Sequence, residues 1–294
     1  MSDLDAARDF VTTHARLLDR RRLAVLVDGA GAAGALDALA AYRNADGGFG
    51  WGLEPDLRSA ASQPAGALHA FEVLADVAPQ TSPLAGALCD WLAAAALPGG
   101  GLPFSVAGAA GPGTAPWWAG ADPAAPSLHI TSAVCIAARR VAAHDPVVAA
   151  HPWLADATRW CWEAVGALRE ARGTYELRNA LQFLDAVAGS LPGAEDHLER
   201  LAAFVPASWE RPVQGGVEGE RLLPLDFAPL PGGPLRALVP ADVIARDLDR
   251  LAAGQRADGG WEVDFAPGSP AAELEWRGYA TVHALCVLRA NGRL

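Results

Sequence analysis

The sequence predicts an all-α protein built from paired helices in a single domain, residues 1–294, and three observations support this prediction. Ala and Leu dominate the apolar segments, a composition that favours helix. Val, Ile and Thr are too sparse and scattered to supply many strands. An Asp-Gly-Gly turn follows a helical apolar pattern twice, at Asp46 and at Asp258, which indicates internal repetition of a helix–turn–helix unit.

Apolar residues at helical spacing predict four helices in the first hundred residues. The first covers about residues 3–20, and the second, about 34–43, leads into the first Asp-Gly-Gly turn. Pro64 fits the first position of the third helix, which extends to about residue 75. Ser82 is a good cap for the fourth helix, which Pro83 opens.

Six further helices are predicted in the rest of the chain, for about ten to twelve in all. Ser127 begins a helix that ends near Val141. Asp145 and Pro146 begin another, which continues to about residue 168. Asn291-Gly292 is a typical end for the last helix, which Ser269-Pro270 begins. The other three are expected at 175–188, 195–205 and 242–253.

The two repeated turns carry a resemblance to a known superfamily. The segment Gln255-Arg-Ala-Asp-Gly-Gly-Trp261 resembles the glutamine–tryptophan repeat of squalene and hopene cyclases. The segment Arg43-Asn-Ala-Asp-Gly-Gly-Phe49 resembles the looser repeats of the prenyltransferase and terpenoid cyclase superfamily. The resemblance implies an α/α toroid, in which paired helices form a closed ring around a central cavity.

Long loops rich in Gly, Pro and Trp are expected at one end of such a toroid, around the mouth of the cavity. Loops of this length in a compact helical domain are usually functional or disordered, and the large aromatics argue against disorder. The segments expected to converge there are Gly50–Gln63, Pro98–Pro126, Pro206–Pro240 and the tail loop Glu262–Arg277.

Composition narrows the possible partners and the location. The formal net charge is −11, and every basic residue other than histidine is Arg, without a basic run, so nucleic acid is an improbable partner. The four cysteines lie too far apart in sequence for a zinc-ribbon or redox motif. The amino terminus lacks signal-peptide features, and no apolar run is long enough for a transmembrane segment. We expect a cytoplasmic protein with reduced thiols.

The first catalytic candidates are Glu54 and Asp56, which flank the stiffening Pro55. Paired carboxylates can raise one pKa and keep a proton available at neutral pH. A shielded carboxylic acid is what protonation-initiated cyclisation of an alkene requires. The resembled cyclases use an Asp-x-Asp-Asp motif for this step, and Glu54-x-Asp56 matches part of it. The alternative is a loop pair that caps the helix near Ala61 or meets Arg58.

Two further carboxylates are catalytic candidates. Asp226 lies in the third long loop, and Glu275 lies near the start of the last helix, from which it is expected to point to the cavity with Asp226. A second hypothesis pairs Asp56 with Asp226 as the acid and base of a carbohydrate-active (α/α)-barrel enzyme. Such a pair has carboxyl groups roughly 5 to 9.5 Å apart.

The candidate substrate-binding residues are aromatic, together with one neighbouring arginine. Aromatic faces stabilise carbocations through their quadrupoles, and they also stack on sugar rings, so they fit both hypotheses. Alternatively, the tryptophans plug the centre of the barrel. The substrate-binding candidates are Trp51, Trp117, Trp118, Trp261, Trp276 and Arg277.

No metal site is predicted, and no cofactor can be identified. His283 and Cys286 are three residues apart on one helix face and could supply two zinc ligands, but no third ligand can be assigned. A core histidine and a core thiol are the preferred interpretation. His69 and His129 lie on apolar helical stretches and are likewise interpreted as core histidines.

The sequence therefore predicts a terpene cyclase- or prenyltransferase-like enzyme. We expect a small-molecule, apolar substrate such as an isoprenoid, an aromatic-lined cavity and acid catalysis by a loop carboxylate. The alternatives are the carbohydrate-active enzyme and a non-catalytic toroid that binds a ligand or partner. The oligomeric state stays open.

Overall fold

The computed structural model describes residues 2–171 and 173–294, and these residues are predominantly helical. They form fifteen α-helices and one two-stranded antiparallel hairpin, which confirms the all-α class. The chain divides into two compact units. The central unit comprises Arg21–Val165 and Pro267–Glu273, and the terminal unit comprises Met1–Arg20, Gly166–Ala266 and Leu274–Leu294. The closed toroid and the single domain over 1–294 stay predictions.

The central unit is organised around a pair of packed helices that bury most of their length. These are α4 (Pro64–Asp76) and α7 (Leu128–Ala142). Phe71 of α4 is fully buried and stacks on Trp153 with ring centroids 6.2 Å apart. The other helices that lie wholly or mainly in this unit are α3 (Ala33–Ala40), α5 (Pro83–Ala95), α6 (Pro116–Ala119), α8 (Pro146–Ala149) and α9 (Pro152–Ala167).

The terminal unit is built around α10 (Thr174–Val187), which packs against three other helices. Its hairpin pairs β1 (Arg211–Pro212) with β2 (Arg221–Leu222). Its remaining helices are α1 (Leu4–His14), α11 (Ala194–Ala202), α12 (Pro224–Phe227), α13 (Gly233–Leu238) and α14 (Ala241–Ala253). Three helices have residues in both units: α2 (Leu17–Leu26), α9 and α15 (Pro270–Ala290).

The predicted helices correspond to observed ones, and four predicted segments needed correction. The helix expected over 3–20 is two helices, because Ala15 adopts an extended conformation that ends α1. The helix expected from Pro146 to about 168 is also two helices, because α8 ends after four residues and α9 begins at Pro152. The predicted loop 206–240 contains the hairpin and two short helices, and the predicted loop Pro98–Pro126 contains α6.

Both Asp-Gly-Gly segments fold into the same turn. In the first, the Asn44 N–H donates to the Gly48 carbonyl (2.9 Å), and the Gly47 N–H donates to the Asn44 carbonyl (3.1 Å). Asp46 accepts from the Gly48 N–H at 3.0 Å, a local bond that an aspartate side chain commonly makes in a turn. Gly47 has φ +91°, a conformation that glycine adopts without strain.

The second turn repeats these bonds with equivalent residues. The Arg256 N–H donates to the Gly260 carbonyl (2.8 Å), and the Gly259 N–H donates to the Arg256 carbonyl (2.9 Å). Asp258 accepts from the Gly260 N–H at 3.1 Å. The aromatics that follow, Phe49 and Trp261, are both buried.

A third copy of the turn was not predicted, because it lacks the aspartate and the aromatic. The Leu97 N–H donates to the Gly101 carbonyl (2.8 Å), and the Gly100 N–H donates to the Leu97 carbonyl (2.9 Å). Leu102 is fully buried at the position that Phe49 and Trp261 occupy in the other copies. Three turns of one design after three helices strengthen the evidence for internal repetition.

Candidate functional site

The segment that follows the first turn folds tightly and buries both candidate carboxylates of the central unit. The Leu53 N–H donates to the Gly50 carbonyl, and the Leu57 N–H donates to the Glu54 carbonyl, each at 3.0 Å. The side chains of Leu53 and Leu57 enter the core. As a result Glu54 is 6% exposed and Asp56 only 2% exposed.

Asp56 joins three of the segments that were expected to converge. Its carbonyl accepts from the Ala115 N–H at 2.8 Å, and its Oδ1 accepts from the Gly268 N–H at 2.6 Å. Ala115 belongs to the Pro98–Pro126 segment and Gly268 to the tail loop. The convergence is therefore observed within the central unit. Gln63 contributes further, since its Oε1 accepts from the Val106 N–H at 3.0 Å.

Glu54 is held by a histidine. The His69 Nε2–H donates to Glu54 Oε2 at 2.7 Å, and the Nδ1–H donates to Glu72 Oε2 at 2.9 Å. The three side chains are largely buried, with 7%, 9% and 19% of the Glu54, His69 and Glu72 side chains exposed. The three side chains form a carboxylate–imidazolium–carboxylate array, in which Glu54 comes from the loop and His69 and Glu72 come from α4.

The two glutamates keep His69 charged. Burial lowers the pKa of His69, but the nearby charge of Glu72 and the hydrogen bonds that His69 donates to both carboxylates outweigh it and raise the pKa to about 9. Glu54 also fixes the neighbouring backbone, because its Oε1 accepts from the Asp56 N–H at 3.1 Å. The charged Glu54–His69–Glu72 array is therefore hydrogen-bonded to the backbone of Asp56 through Glu54.

The sequence interpretation of His69 as a core histidine is confirmed, because this residue of α4 is buried. Its two carboxylate partners were not predicted. The effect of the Glu54 and Asp56 carboxylates on each other's pKa stays a prediction, and the charged partner that the structure gives to Glu54 is His69. The spacing of His69 and Glu72, three residues apart on one helix, was the available signal. The contribution of Glu54 had no local signal, because it comes from a separate loop.

The candidate tryptophans of the central unit fall into two groups. Trp51 and Trp117 are exposed, by 59% and 48%. Trp51 has φ +57°, and its indole N–H donates to Asn44 Oδ1 at 2.8 Å. Trp118 is buried and stacks on Phe104 with ring centroids 4.2 Å apart. The backbone N–H of Trp118 donates to the carbonyl of Ala115 at 3.1 Å, and Ala115 is the residue whose N–H bonds Asp56.

The substrate-binding candidates of the terminal unit, Trp261, Trp276 and Arg277, all contact other residues of that unit. Trp261 is buried, and its indole N–H donates to the Leu251 carbonyl at 2.7 Å. Arg277 pairs with Asp258 at 2.8 Å and lies over the Phe10 ring at 4.5 Å. Arg277 thereby supports the second turn. Trp276 makes an edge contact to Phe265, with ring centroids 5.3 Å apart.

The carboxylate candidates of the terminal unit differ in environment. Asp226 Oδ2 accepts from the Leu223 N–H at 2.7 Å at the start of α12. Burial raises the pKa of Asp226 to about 6, although the backbone bond and Arg178 lower it, and Asp247 adds to the rise. Glu275 is only partly buried on α15. Asp56 and Asp226 belong to different units, so their pairing across a substrate stays a prediction.

Comparison with known proteins adds no assignment. No protein family matches the chain, and no curated protein matches it in sequence. Within residues 2–171 and 173–294, no three or more His, Cys, Asp or Glu side chains are grouped so as to hold a metal ion. None of the helices in this described part combines the length and apolarity needed to cross a membrane.

Proposed function

We propose that the protein is a terpene cyclase- or prenyltransferase-like enzyme that acts on an isoprenoid or other apolar substrate. The observation that carries the proposal is the buried Glu54–His69–Glu72 array beside Asp56, directly after the first repeated turn. Perturbed, buried titratable groups that meet in a loop region are frequent at functional sites. The three repeated turns support the resemblance to the toroid superfamily.

In this proposal Asp56 is the acid. It is the more buried of the two loop carboxylates, whereas Glu54 is already bound to His69. The proton of the Asp56 carboxyl moves to an alkene carbon of the substrate, and the carboxylate that remains is the conjugate base. The substrate carbon left electron-deficient is stabilised by an aromatic face, for which Trp118 and Phe104 are the candidates.

Glu54 and His69 position the acid in this mechanism. Glu54 holds the Asp56 backbone N–H, and His69 fixes the Glu54 carboxylate at 2.7 Å. Glu72 completes the compensation of charge, because an imidazolium between two carboxylates is less costly to bury than a lone charge. A preorganised array of this kind needs no rearrangement during the proton transfer.

The test is turnover by the Asp56→Asn variant against a panel of isoprenyl diphosphates with and without Mg²⁺, neutral polyprenes and oligosaccharides. The Asn oxygen can still accept from the Gly268 N–H, so the fold should persist. We expect at least an approximately 100-fold loss of turnover of an isoprenoid, in line with removal of a general acid. Thermal unfolding should change little. The matched control is Asp46→Asn, which alters an aspartate in the turn itself.

Retained turnover in the Asp56→Asn variant would contradict the proposal and leave Asp56 as an anchor for three loop segments.

Binding of oligosaccharides alone would favour the carbohydrate-active alternative. For that alternative the specific observation is the pKa of Asp226, raised to about 6 by burial, which suits a general acid. Loss of oligosaccharide hydrolysis in Asp226→Asn would support it. No binding at all would favour a non-catalytic toroid.

A further inference from the structure

The central unit contains an open cavity that the sequence analysis did not single out. The cavity has a volume of about 700 Å³ and lies between the end of α5, the start of α9 and the third turn, Leu97–Gly101. This volume falls in the range of about 300–1,000 Å³ that is typical of small-molecule sites. Among the described residues that line it, none is Asp56 or a member of the Glu54–His69–Glu72 array. The cavity is therefore separate from the proposed acid site.

The third turn forms one wall of the cavity and is packed closely against α9. A Cβ at Gly100, whose φ is +104°, would come within 3.2 Å of the Asp156 carbonyl oxygen. A Cβ at Gly101 would come within 2.5 Å of the Trp160 ring. Only glycine permits so close an approach of the two backbones. The turn and the helix therefore make a pre-formed wall.

His151 holds the carboxylate of Asp90 in the lining of the cavity. The His151 Nδ1 accepts from the Trp153 N–H at 3.2 Å, at the start of α9. The proton of the neutral ring is therefore on Nε2, which donates to Asp90 Oδ1 at 3.2 Å. Asp90 Oδ2 has no hydrogen-bond partner among the described residues, and 80% of the Asp90 side chain is exposed. It is an accessible acceptor on an oriented carboxylate.

A second carboxylate and an arginine of α9 belong to the same lining. Arg159 donates to Asp156 Oδ1 at 3.0 Å, and 53% and 59% of the two side chains are exposed. Asp156 Oδ2 is left as an acceptor, and the remaining guanidinium N–H groups of Arg159 are left as donors. With Asp90, the lining has two carboxylates and one guanidinium and so carries a single net negative charge.

The buried member of the lining is Trp153, and its polar atom is unsatisfied. The Trp153 side chain is 2% exposed and stacks on Phe71. Within residues 2–171 and 173–294, the buried indole N–H of Trp153 has no hydrogen-bond partner. A buried donor without an acceptor costs free energy, and such groups in a folded protein call for an explanation. An acceptor on a ligand in the cavity would satisfy this donor.

We propose that the cavity binds a neutral, polyhydroxylated ligand such as a mono- or disaccharide. A hydroxyl group both donates and accepts, so one ligand of this class can donate to Asp90 and Asp156 and accept from Trp153. An organic cation would leave the Trp153 N–H unpaired and would compete with Arg159 for Asp156. An anion would be repelled by the net negative charge. An apolar ligand would remove the polar groups from water without replacing their hydrogen bonds.

The experiment is titration of the folded ¹⁵N-labelled protein with glucose, galactose, maltose, cellobiose and trehalose, followed by NMR. We expect at least one of these saccharides to give a saturable shift of the Trp153 indole N–H resonance, which is assigned from its absence in Trp153→Phe. The Phe ring preserves an aromatic contact with Phe71 but lacks the donor. We therefore expect Trp153→Phe to bind the saccharide about tenfold more weakly.

Two carboxylate variants and a matched control locate the binding. Asp90→Ala and Asp156→Ala should each weaken binding by at least about tenfold, because each loses a charged acceptor. Their Tm should change little, because both side chains are largely exposed. The control is Glu163→Ala, which removes another exposed carboxylate close to Arg159, 3.8 Å away, from outside the cavity. Its Kd for the saccharide should equal that of the unmodified protein.

Three results would overturn the proposal. The first is the absence of saturable binding by every saccharide of the panel. The second is displacement of the saccharide by spermidine, which would assign the cavity to an organic cation. The third is unchanged binding in Asp90→Ala and Asp156→Ala, which would place the saccharide at another site. The acid-catalysis proposal is tested separately, because Asp56→Asn should lose turnover and still bind the saccharide in this cavity.

Discussion

Each of the two compact units contains a titratable group with a raised pKa, His69 in the central unit and Asp226 in the terminal unit, but the causes differ. In the central unit, partner carboxylates raise the pKa of His69 to about 9 against the effect of burial. In the terminal unit, burial itself raises the pKa of Asp226 to about 6, against the effect of its backbone donor. Charge compensation therefore dominates in one unit, and loss of solvation dominates in the other.

A raised pKa therefore has opposite consequences for stability at neutral pH in the two units. The array around His69 is stabilising while the imidazolium is charged. The Asp226 carboxylate is destabilising once it ionises in a poorly solvated position. The repeated turns, in contrast, are the same in both units, so the contrast concerns side-chain environments and not the backbone.

The largest expected effect comes from breaking the central array. The variant His69→Gln leaves Glu54 and Glu72 buried without the cation between them. We expect the free energy of unfolding at neutral pH to fall by about 3 kcal/mol. Chemical denaturation measures it, and the exposed His14→Gln is the control, with a change within about 0.5 kcal/mol. If the free energy of unfolding of His69→Gln is unchanged, the array makes no net contribution to stability.

The pH dependence of stability should separate the two units. The folded pKa of His69, about 9, exceeds its unpaired value of 6.5, so its contribution is fully present below pH 6.5 and is lost as the pH rises through 9. The amount is about 3 kcal/mol. NMR titration of the His69 ring measures the pKa directly. A midpoint near 6.5 would contradict the charged array, and Glu72→Gln should lower the midpoint.

Removal of a turn support should have the same moderate effect in both units. Thr131 Oγ1 accepts from the Leu102 N–H at 2.8 Å, and Thr281 Oγ1 accepts from the Trp261 N–H at 3.0 Å. The variants Thr131→Val and Thr281→Val leave these buried donors unpaired. Each should lower the free energy of unfolding by about 1.5 kcal/mol in denaturation. The exposed Thr81→Val serves as control, and a clear inequality between the two variants would argue against equivalent turns.

The smallest expected effect is a gain. In Asp226→Asn the amide oxygen can accept from the Leu223 N–H without carrying a charge. Because the folded pKa of Asp226, about 6, exceeds the ordinary 3.8, its contribution is fully present below pH 3.8 and is lost as the pH rises through 6. We expect a gain of about 1 kcal/mol at neutral pH, after allowance for partial exposure. At about pH 3 the variant and the parent should unfold alike.

Local sequence patterns account for the helices and for the repeated turns. Ser82 caps α5 as expected, and Pro64 and Pro83 occupy first positions of their helices. The glycines of the turns and the apolar spacing are effects of near neighbours, which is why they can be read from the sequence. The break at Ala15 and the short helices in the 206–240 segment were missed, because single turns of helix have too few residues to show a period.

The candidate site was predictable only in part. The positions of Glu54 and Asp56 after the first turn were found, and three of the segments expected to converge meet at Asp56. The partner of Glu54 was not found, because His69 comes from a helix fifteen residues away. The third turn, at Leu97, was not predicted either, because it is defined by backbone hydrogen bonds and lacks the aspartate and the aromatic of the other two turns.

The sequence by itself determined the helical class, most helix boundaries and the two Asp-Gly-Gly turns, because these depend on the conformational preferences of adjacent residues. Only the tertiary structure decided which charges meet. It placed His69 between two glutamates and paired Arg277 with Asp258. Desolvation and charge compensation act between residues that are distant in sequence, so the reactivity of these groups is a property of the folded chain.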